Sequence, residues 1–349
     1  MIDYIIVGSG LAGISFAETA LQNNKTIILF DNHSQNSSTV AGGMYNAVIL
    51  KRYTKAWKAS EQLQLLDSFY EAVENRIGTK VNIPIRIFRK IFSAEEQNDF
   101  IHASDKRDLE DFLSPEIVHK NYNGITAPFG FGEILKTGYV DTALLLKKYQ
   151  SWLKENNFLQ ENSFQFSELQ IFPDYVQYQN IQAKNIVFAE GFGVVNNPFF
   201  NNLPIVGTKG ELLLVKIPNL NLDAVIKSSV FIMPLGNDLY KVGATYNWDD
   251  KTNEPTVEGK KELMESLKSI VSLDFEIVDH VAGIRPTTKD RKPLAGTHPK
   301  HANVHILNGL GTRGVMIGPH LALQLYNSIE KNIEIDIEAN IKRFKKIIW

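Results

Sequence analysis

The run Gly8-Ser9-Gly10-Leu11-Ala12-Gly13 limits what this chain can fold into more than any other stretch. An apolar segment, Tyr4-Ile5-Ile6-Val7, leads into it. Small and apolar residues continue behind it at helical spacing through Ala12, Phe16, Ala20 and Leu21. A second apolar run over residues 26–30 ends at Asp31, about 20 residues beyond the glycines, the order of a strand–helix–strand unit that holds a dinucleotide. Gly8 permits the sharp exit from the strand. Gly10 leaves no side chain between the backbone N–H groups and a pyrophosphate, and Gly13 lets the helix lie close to the sheet with its positive end toward the phosphates. Ser9, Leu11 and Ala12 complete that turn. Asp31 is placed to accept hydrogen bonds from the adenosine ribose, and Asn32-His33 offer no cation for a 2′-phosphate. The motif by itself does not separate FAD from NAD.

Composition removes several other functions. A net charge of −2 provides no bulk attraction to nucleic acid or anionic lipid. The chain has no cysteine, which excludes disulfides, thiolate catalysis, zinc–thiolate sites and a cysteine-linked flavin. None of the eight histidines has metal-ligand spacing, so no metal is expected. The nucleotide unit begins within three residues of Met1, so no signal peptide and a cytoplasmic location are expected. No apolar run approaches the ~20 residues needed to span a bilayer. At 349 residues the chain is long enough for two domains, interleaved rather than consecutive.

Ala41-Gly42-Gly43-Met44 forms a loop where backbone approaches a ligand, suited to the ribityl chain and ring of a flavin. A helix is expected over residues 55–77 with Gly78 as its stop, and Lys51, Arg52, Lys55 and Lys58 form a solvated basic face. Residues 80–136 cap the nucleotide unit with strands over 81–92, a helix capped by Ser93, a second short helix over 107–113 and an aromatic turn over 128–132 that belongs to the core. Asp141 caps a further helix. A meander over 164–188 returns to the parallel sheet at Ala189-Glu190-Gly191, beside the cofactor. Strands over 211–217, 225–233 and 239–245 make an antiparallel sheet, followed by a helix over 257–271 and strands over 275–282 and 303–307. Gly309-Leu310-Gly311-Thr312-Arg313-Gly314 then opens a helix over 315–329, where aligned N–H groups again face something electron-rich. A helical tail carrying Lys342, Arg343, Lys345 and Lys346 runs to Trp349.

Over nearly its whole length the chain resembles the D-amino-acid-oxidase-like (DAO) family of FAD-dependent oxidoreductases, and by motif the glycine oxidases within it. The residues carrying the resemblance are 6–13, 41–44, 207–211, 242–245, the segment Gly283-Ile284-Arg285-Pro286-Thr287-Thr288-Lys289-Asp290-Arg291-Lys292-Pro293 with Gly296 and His298-Pro299, and Gly311-Thr312-Arg313-Gly314 with Pro319. The resemblance implies an α/β fold: a Rossmann-like FAD/NAD(P)-binding domain of the glutathione-reductase type (1–80, 137–206, 283–349), interleaved with an antiparallel-sheet substrate domain (81–136, 207–282). It implies non-covalent FAD and oxidation of the C–N bond of a small amino acid or N-substituted glycine, with electrons passing to O2 or a carrier. Arg285 and Arg313 match positions that hold the substrate carboxylate, and Phe231 stands where a substrate-binding tyrosine is expected. Lys241 lies in a segment similar to one whose lysine promotes the oxygen reaction. Gly309–Gly314 and Thr288-Lys289-Asp290 are also similar to the FAD domain of a bifunctional tRNA wobble-uridine-modifying enzyme. The net charge weighs against tRNA as a partner. A flavoprotein that docks a partner without turnover is a further alternative, and a homo-oligomer is compatible with the sequence.

Overall fold

The N-terminal apolar run forms the strand Ile2–Val7, and its residues from Tyr4 onward are buried, as a central parallel strand requires. In this computed structural model, which describes residues 1–347, that strand lies between Ile27–Phe30 and Ile181–Phe188, parallel to both. Leu159–Gln160 continues the sheet beyond Ile27–Phe30, and His301–Asn308 pairs in parallel with the last part of Ile181–Phe188. Val7 is in register with Phe30 and Phe188, and Phe188 with Ile306. The carboxyl ends of three strands therefore stop level with one another and His301–Asn308 runs two residues further, at the edge where ligands bind in open sheets of this kind. The expected meander, Leu169–Ile171 and Val176–Tyr178, joins the same sheet through the first half of Ile181–Phe188.

A second eight-stranded sheet takes strands from two separated parts of the chain. Its order is Glu276–Arg285, Thr208–Lys216, Leu239–Gly243, Phe231–Gly236, Ala224–Lys227, Arg86–Lys90, Phe131–Ile134 and Leu113–Val118. All neighbours are antiparallel except Ala224–Lys227 with Arg86–Lys90. Strand alternation gives the sheet two distinct faces. Phe88, Ile226, Ile232, Val242 and Leu213 form one cross-strand row, packed in a core that includes Leu263 and Leu267 of the helix Val257–Lys268. The adjacent row, Arg89, Lys227, Phe231, Gly243 and Leu212, faces the opposite way.

Several local expectations are corrected. The run over 225–233 is a hairpin, because Ser228-Ser229 turns the chain and Ser228 N–H donates to Val230 O. The short helix over 107–113 is a series of single turns that gives way to the strand Leu113–Val118. That strand lies at the sheet edge, where Pro115 costs no ladder hydrogen bond. The helix expected from residue 55 begins at Ala59, since Thr54–Lys55 pairs with Val48–Ile49; Gly78 ends it at φ 63°. Of the C-terminal tail only Ile341–Arg343 is helical, as a 3-10 turn, and Trp349 lies outside the described residues. Ser93 and Asp141 do cap their helices, accepting from the N–H groups of Glu96 and Leu144.

The helices Leu11–Gln22 and Gly314–Lys331, from opposite ends of the chain, lie against each other. Small residues make this possible: a Cβ on Gly314 would stand 3.0 Å from Leu11 Cδ1, and one on Gly318 would stand 2.7 Å from Ser15 Oγ. Behind them, Glu18 is fully buried. It accepts from Arg76 Nε (2.6 Å) and Tyr149 Oη (2.8 Å), tying three helices at one carboxylate. Arg76→Ala strands that carboxylate beside a single hydroxyl and one amide. It is expected to lower unfolding free energy by about 3 kcal/mol, since losing one partner of a buried pair typically costs that much. A urea melt unchanged within ~0.5 kcal/mol would contradict that role for Glu18.

Candidate active site

The two neighbouring helices open their N-termini into one cavity of about 820 Å³, lined on one side by the ends of the parallel strands and on the other by the antiparallel sheet. The helix Leu11–Gln22 has Gly10 as N-cap, with no side-chain cap of its own and no acid in its first turn. Leu11 N–H donates to Ser38 Oγ instead. Gly314–Lys331 likewise has no side-chain cap and no acid in its first turn, and Gly311 ahead of it is held at φ 58° with open space where a side chain would be. Two uncapped helix starts in one cavity concentrate N–H donors and positive potential there. Gly13 permits the tight turn: a Cβ on it would lie 1.8 Å from Gly8 O.

Gly8, Gly10, Leu11, Ala12, Asp31, Ala41, Gly42, Gly43, Met44, Glu190, Gly191, Gly311, Thr312, Arg313, Gly314 and Arg285 all line this cavity. Ser9 and Gly13 do not; they build the turn from behind. The Ser9 N–H and hydroxyl both donate to Asp31 Oδ2 at 2.5 Å, so Asp31 braces the glycine turn as well as bordering the cavity. The loop with Gly42 is pinned at Gly43, whose φ of 69° and close approach to Val140 O admit no side chain. Glu190 is half-buried at the cavity edge, accepting from Asn197 Nδ2 at 2.6 Å; desolvation raises its carboxyl to about 7, offset in part by that hydrogen bond.

The other wall is cationic. Arg285 lies flat over Gly210, where a Cβ would be 1.8 Å from Nη2, and donates to Thr245 O at 3.3 Å. The Tyr246 ring covers its guanidinium at 4.6 Å. Fully buried Lys209 holds the loop that carries Tyr246, bonding Asp250 and Thr252. Burial draws both Arg285 and Arg313 down from the ordinary guanidinium value, with Tyr246 opposing. Neither forms an ion pair among the described residues. Lys241 stands apart: it does not line the cavity, and its Nζ, drawn down by burial, donates to Ala41 O at 3.3 Å, supporting the glycine loop from behind.

Sequence reading missed Arg89 and Lys227, which enter the cavity on the row shared with Phe231 and Gly243. Burial, then Arg313 and Arg89, lowers the Lys227 ammonium to about 8. The signal available was the alternation of residues 224–227 against 86–89, legible only once the pairing is known. Lys51, expected on a solvated face and exposed, also lines the cavity, and Lys58, partly exposed, pairs with Asp336 at 3.2 Å and Glu61 at 3.6 Å.

The model of the family described as FAD-dependent oxidoreductase, DAO, matches residues 3–326. The chain belongs to this family. Glycine oxidase from Bacillus subtilis (strain 168) is 22% identical over 339 residues, spanning 90% of this chain and 89% of its own. The tRNA 5-methylaminomethyl-2-thiouridine biosynthesis bifunctional protein MnmC from Marinobacter nauticus is 21% identical over 354 residues, covering 93% of this chain but 55% of its own, so this chain spans about half of that relative. The structure of glycine oxidase from Geobacillus kaustophilus matches with a TM-score of 0.78 at 18% identity, covering 96% of each chain. Among the described residues no cluster of acids and histidines is arranged for a metal, and no helix is long and apolar enough to cross a membrane.

The cavity fits the FAD that this family uses: uncapped helix starts for a pyrophosphate and a flavin edge, an acid at the second strand's end, and a glycine loop between the walls. Glu190 gives a pH-dependent test in the flavin-free protein. Its folded value near 7 lies above the ordinary 4.5, so ionising it costs stability as pH rises from 4.5 to 7 and no further above. Glu190→Gln keeps an acceptor for Asn197. Its stability advantage should be absent at pH 4.5, grow to at most about 3 kcal/mol by pH 7, and then stay level. Thermal melts across that range with a constant difference would refute the raised carboxyl.

Proposed function

We propose that this protein oxidises the C–N bond of a small amino acid or N-substituted glycine, using non-covalently bound FAD. The observation that carries the reading is the pair Arg285 and Arg313: two desolvated guanidinium groups bordering one cavity with no carboxylate partner among the described residues. An arginine fork matches a carboxylate, and a substrate acid would supply the missing charge to both. Phe231, against Gly42 of the glycine loop, contributes an apolar surface and no hydroxyl, so orientation rests on the carboxylate contacts. FAD held in this cavity would supply the two-electron oxidant, so that the substrate would lose a hydride equivalent from the carbon bearing nitrogen and a proton from nitrogen, and water would hydrolyse the resulting imine. The chain's own part is to fix the acid with Arg285 and Arg313, hold Arg285 under Tyr246, and aim the start of Gly314–Lys331 at developing negative charge. No side-chain base is needed when the amine binds neutral. O2 or an electron carrier would then restore the oxidised cofactor.

The MnmC relative suggests a tRNA-borne carboxymethylamino group as a second substrate class. Against it, Arg343 of the C-terminal basic stretch is committed to Asp290 at 2.9 Å and Lys58 to Asp336. Retention of labelled tRNA that weakens steeply with salt would support that class; its absence leaves the small-molecule reading.

The direct measurement is anaerobic bleaching of the flavin's visible absorption by a panel of amino acids and N-alkyl glycines. Arg285→Ala should lower the second-order rate of bleaching by about 100-fold or more, and Arg285→Lys should restore only part of it, because lysine lacks the two-pronged geometry. Bleaching by dithionite but by no amine would favour a flavin-binding partner protein without turnover. An unaltered rate in Arg285→Ala would remove the carboxylate assignment.

A further inference from the structure

The cavity's charges are unevenly divided. Its two acids, Asp31 and Glu190, stand at the ends of the parallel strands, whereas Lys51, Arg89, Lys227, Arg285 and Arg313 border the remainder. A substrate with one carboxylate satisfies the two arginines already assigned to it. Lys227 is left over. It sits on the cross-strand row between Arg89 and Phe231, so its side chain points to the cavity face of the sheet. Arg89 is already neutralised by Glu96 at 2.7 Å, and its remaining arm donates to Ser228 O at 3.2 Å, which fixes the hairpin turn beside Lys227. Lys227 itself has no ion-pair partner among the described residues, and the neighbouring Ser228 hydroxyl is buried without a hydrogen-bond partner. An ammonium without an ion-pair partner and, on the next residue, a buried hydroxyl without a hydrogen-bond partner are costly unless a ligand satisfies both.

We propose that Lys227 and Ser228, braced by Arg89, form a second anion subsite, so that the substrate is an amine carrying two acidic groups. The inference rests on the amine-oxidation reading and names the substrate class of the same cavity. One acid goes to Arg285 and Arg313, the other to Lys227 and Ser228, with the C–N bond between them. The hairpin at residues 228–230 is then a specificity element: it places both donors at one turn, held by Arg89 from the neighbouring strand.

The FAD-loaded protein is titrated calorimetrically with malonate, succinate and glutarate, each against its own monoamide, which has nearly the same shape and one charge fewer. At the length matching the site the diacid should bind about 30-fold more tightly than its monoamide. Lys227→Met should reduce that preference to below about 3-fold, and Lys227→Arg should keep most of it. Wild-type ratios near one at all three lengths would overturn the subsite, whatever the variants do. So would a preference that survives Lys227→Met in protein with unchanged flavin content. The two proposals fail separately. Bleaching by monoacidic amines without any preference for diacids leaves amine oxidation standing and removes the subsite. Diacid preference in binding, with no bleaching by any mono- or diacidic amine, leaves the anion subsite standing and removes amine oxidation, and with it the amine as substrate.

Discussion

The side-by-side contact of the helices Leu11–Gln22 and Gly314–Lys331 is the constraint on which the rest depends. Gly314 and Gly318 let the two backbones approach within side-chain contact of Leu11 and Ser15, and this brings two uncapped helix starts into one cavity. Separated, each would be an ordinary helix end satisfied by water. Together they place aligned N–H groups at two points of one extended ligand. Burial of Glu18 behind them, with Arg76 and Tyr149, makes the same packing expensive to disturb.

Facing these helices, the antiparallel sheet works through its period of two. One row of residues carries the apolar core around Leu263 and Leu267; the next carries Arg89, Lys227, Phe231, Gly243 and Leu212 into the cavity. A slip of one residue in pairing would exchange the two rows, burying Lys227 among apolar side chains and turning Phe88 outward. The register that makes the core therefore also makes the cationic wall. Cations held in this desolvated wall interact more strongly with an incoming acid than surface cations would.

The parallel unit was legible because each of its signals is local. The glycine spacing, the apolar runs on either side and Asp31 at the end of the second strand can all be read within thirty-one residues, and their geometry follows from strand and helix alone. The same holds for the caps at Ser93 and Asp141 and the stop at Gly78. That Arg285 and Arg313 border one cavity was foreshadowed by resemblance. The hairpin inside residues 225–233 was not, since apolar residues continue on both sides of a turn that Ser228-Ser229 makes. Nor was the strand Leu113–Val118, because Pro115 argues against a strand except at an edge, and edges are a property of the finished sheet.

Local sequence, then, determined where a dinucleotide would be anchored and which family's chemistry the chain carries, because turns and helix starts are built from neighbours in the chain. Tertiary structure alone decided which charges share the cavity. Lys241, which lies in the more suggestive motif, turns its amine to Ala41 O behind the glycine loop, while Lys227, in no motif at all, reaches the cavity beside Arg89. The physical reason is cross-strand register: Arg89 and Lys227 are 138 positions apart in sequence and become neighbours only through the pairing of Arg86–Lys90 with Ala224–Lys227.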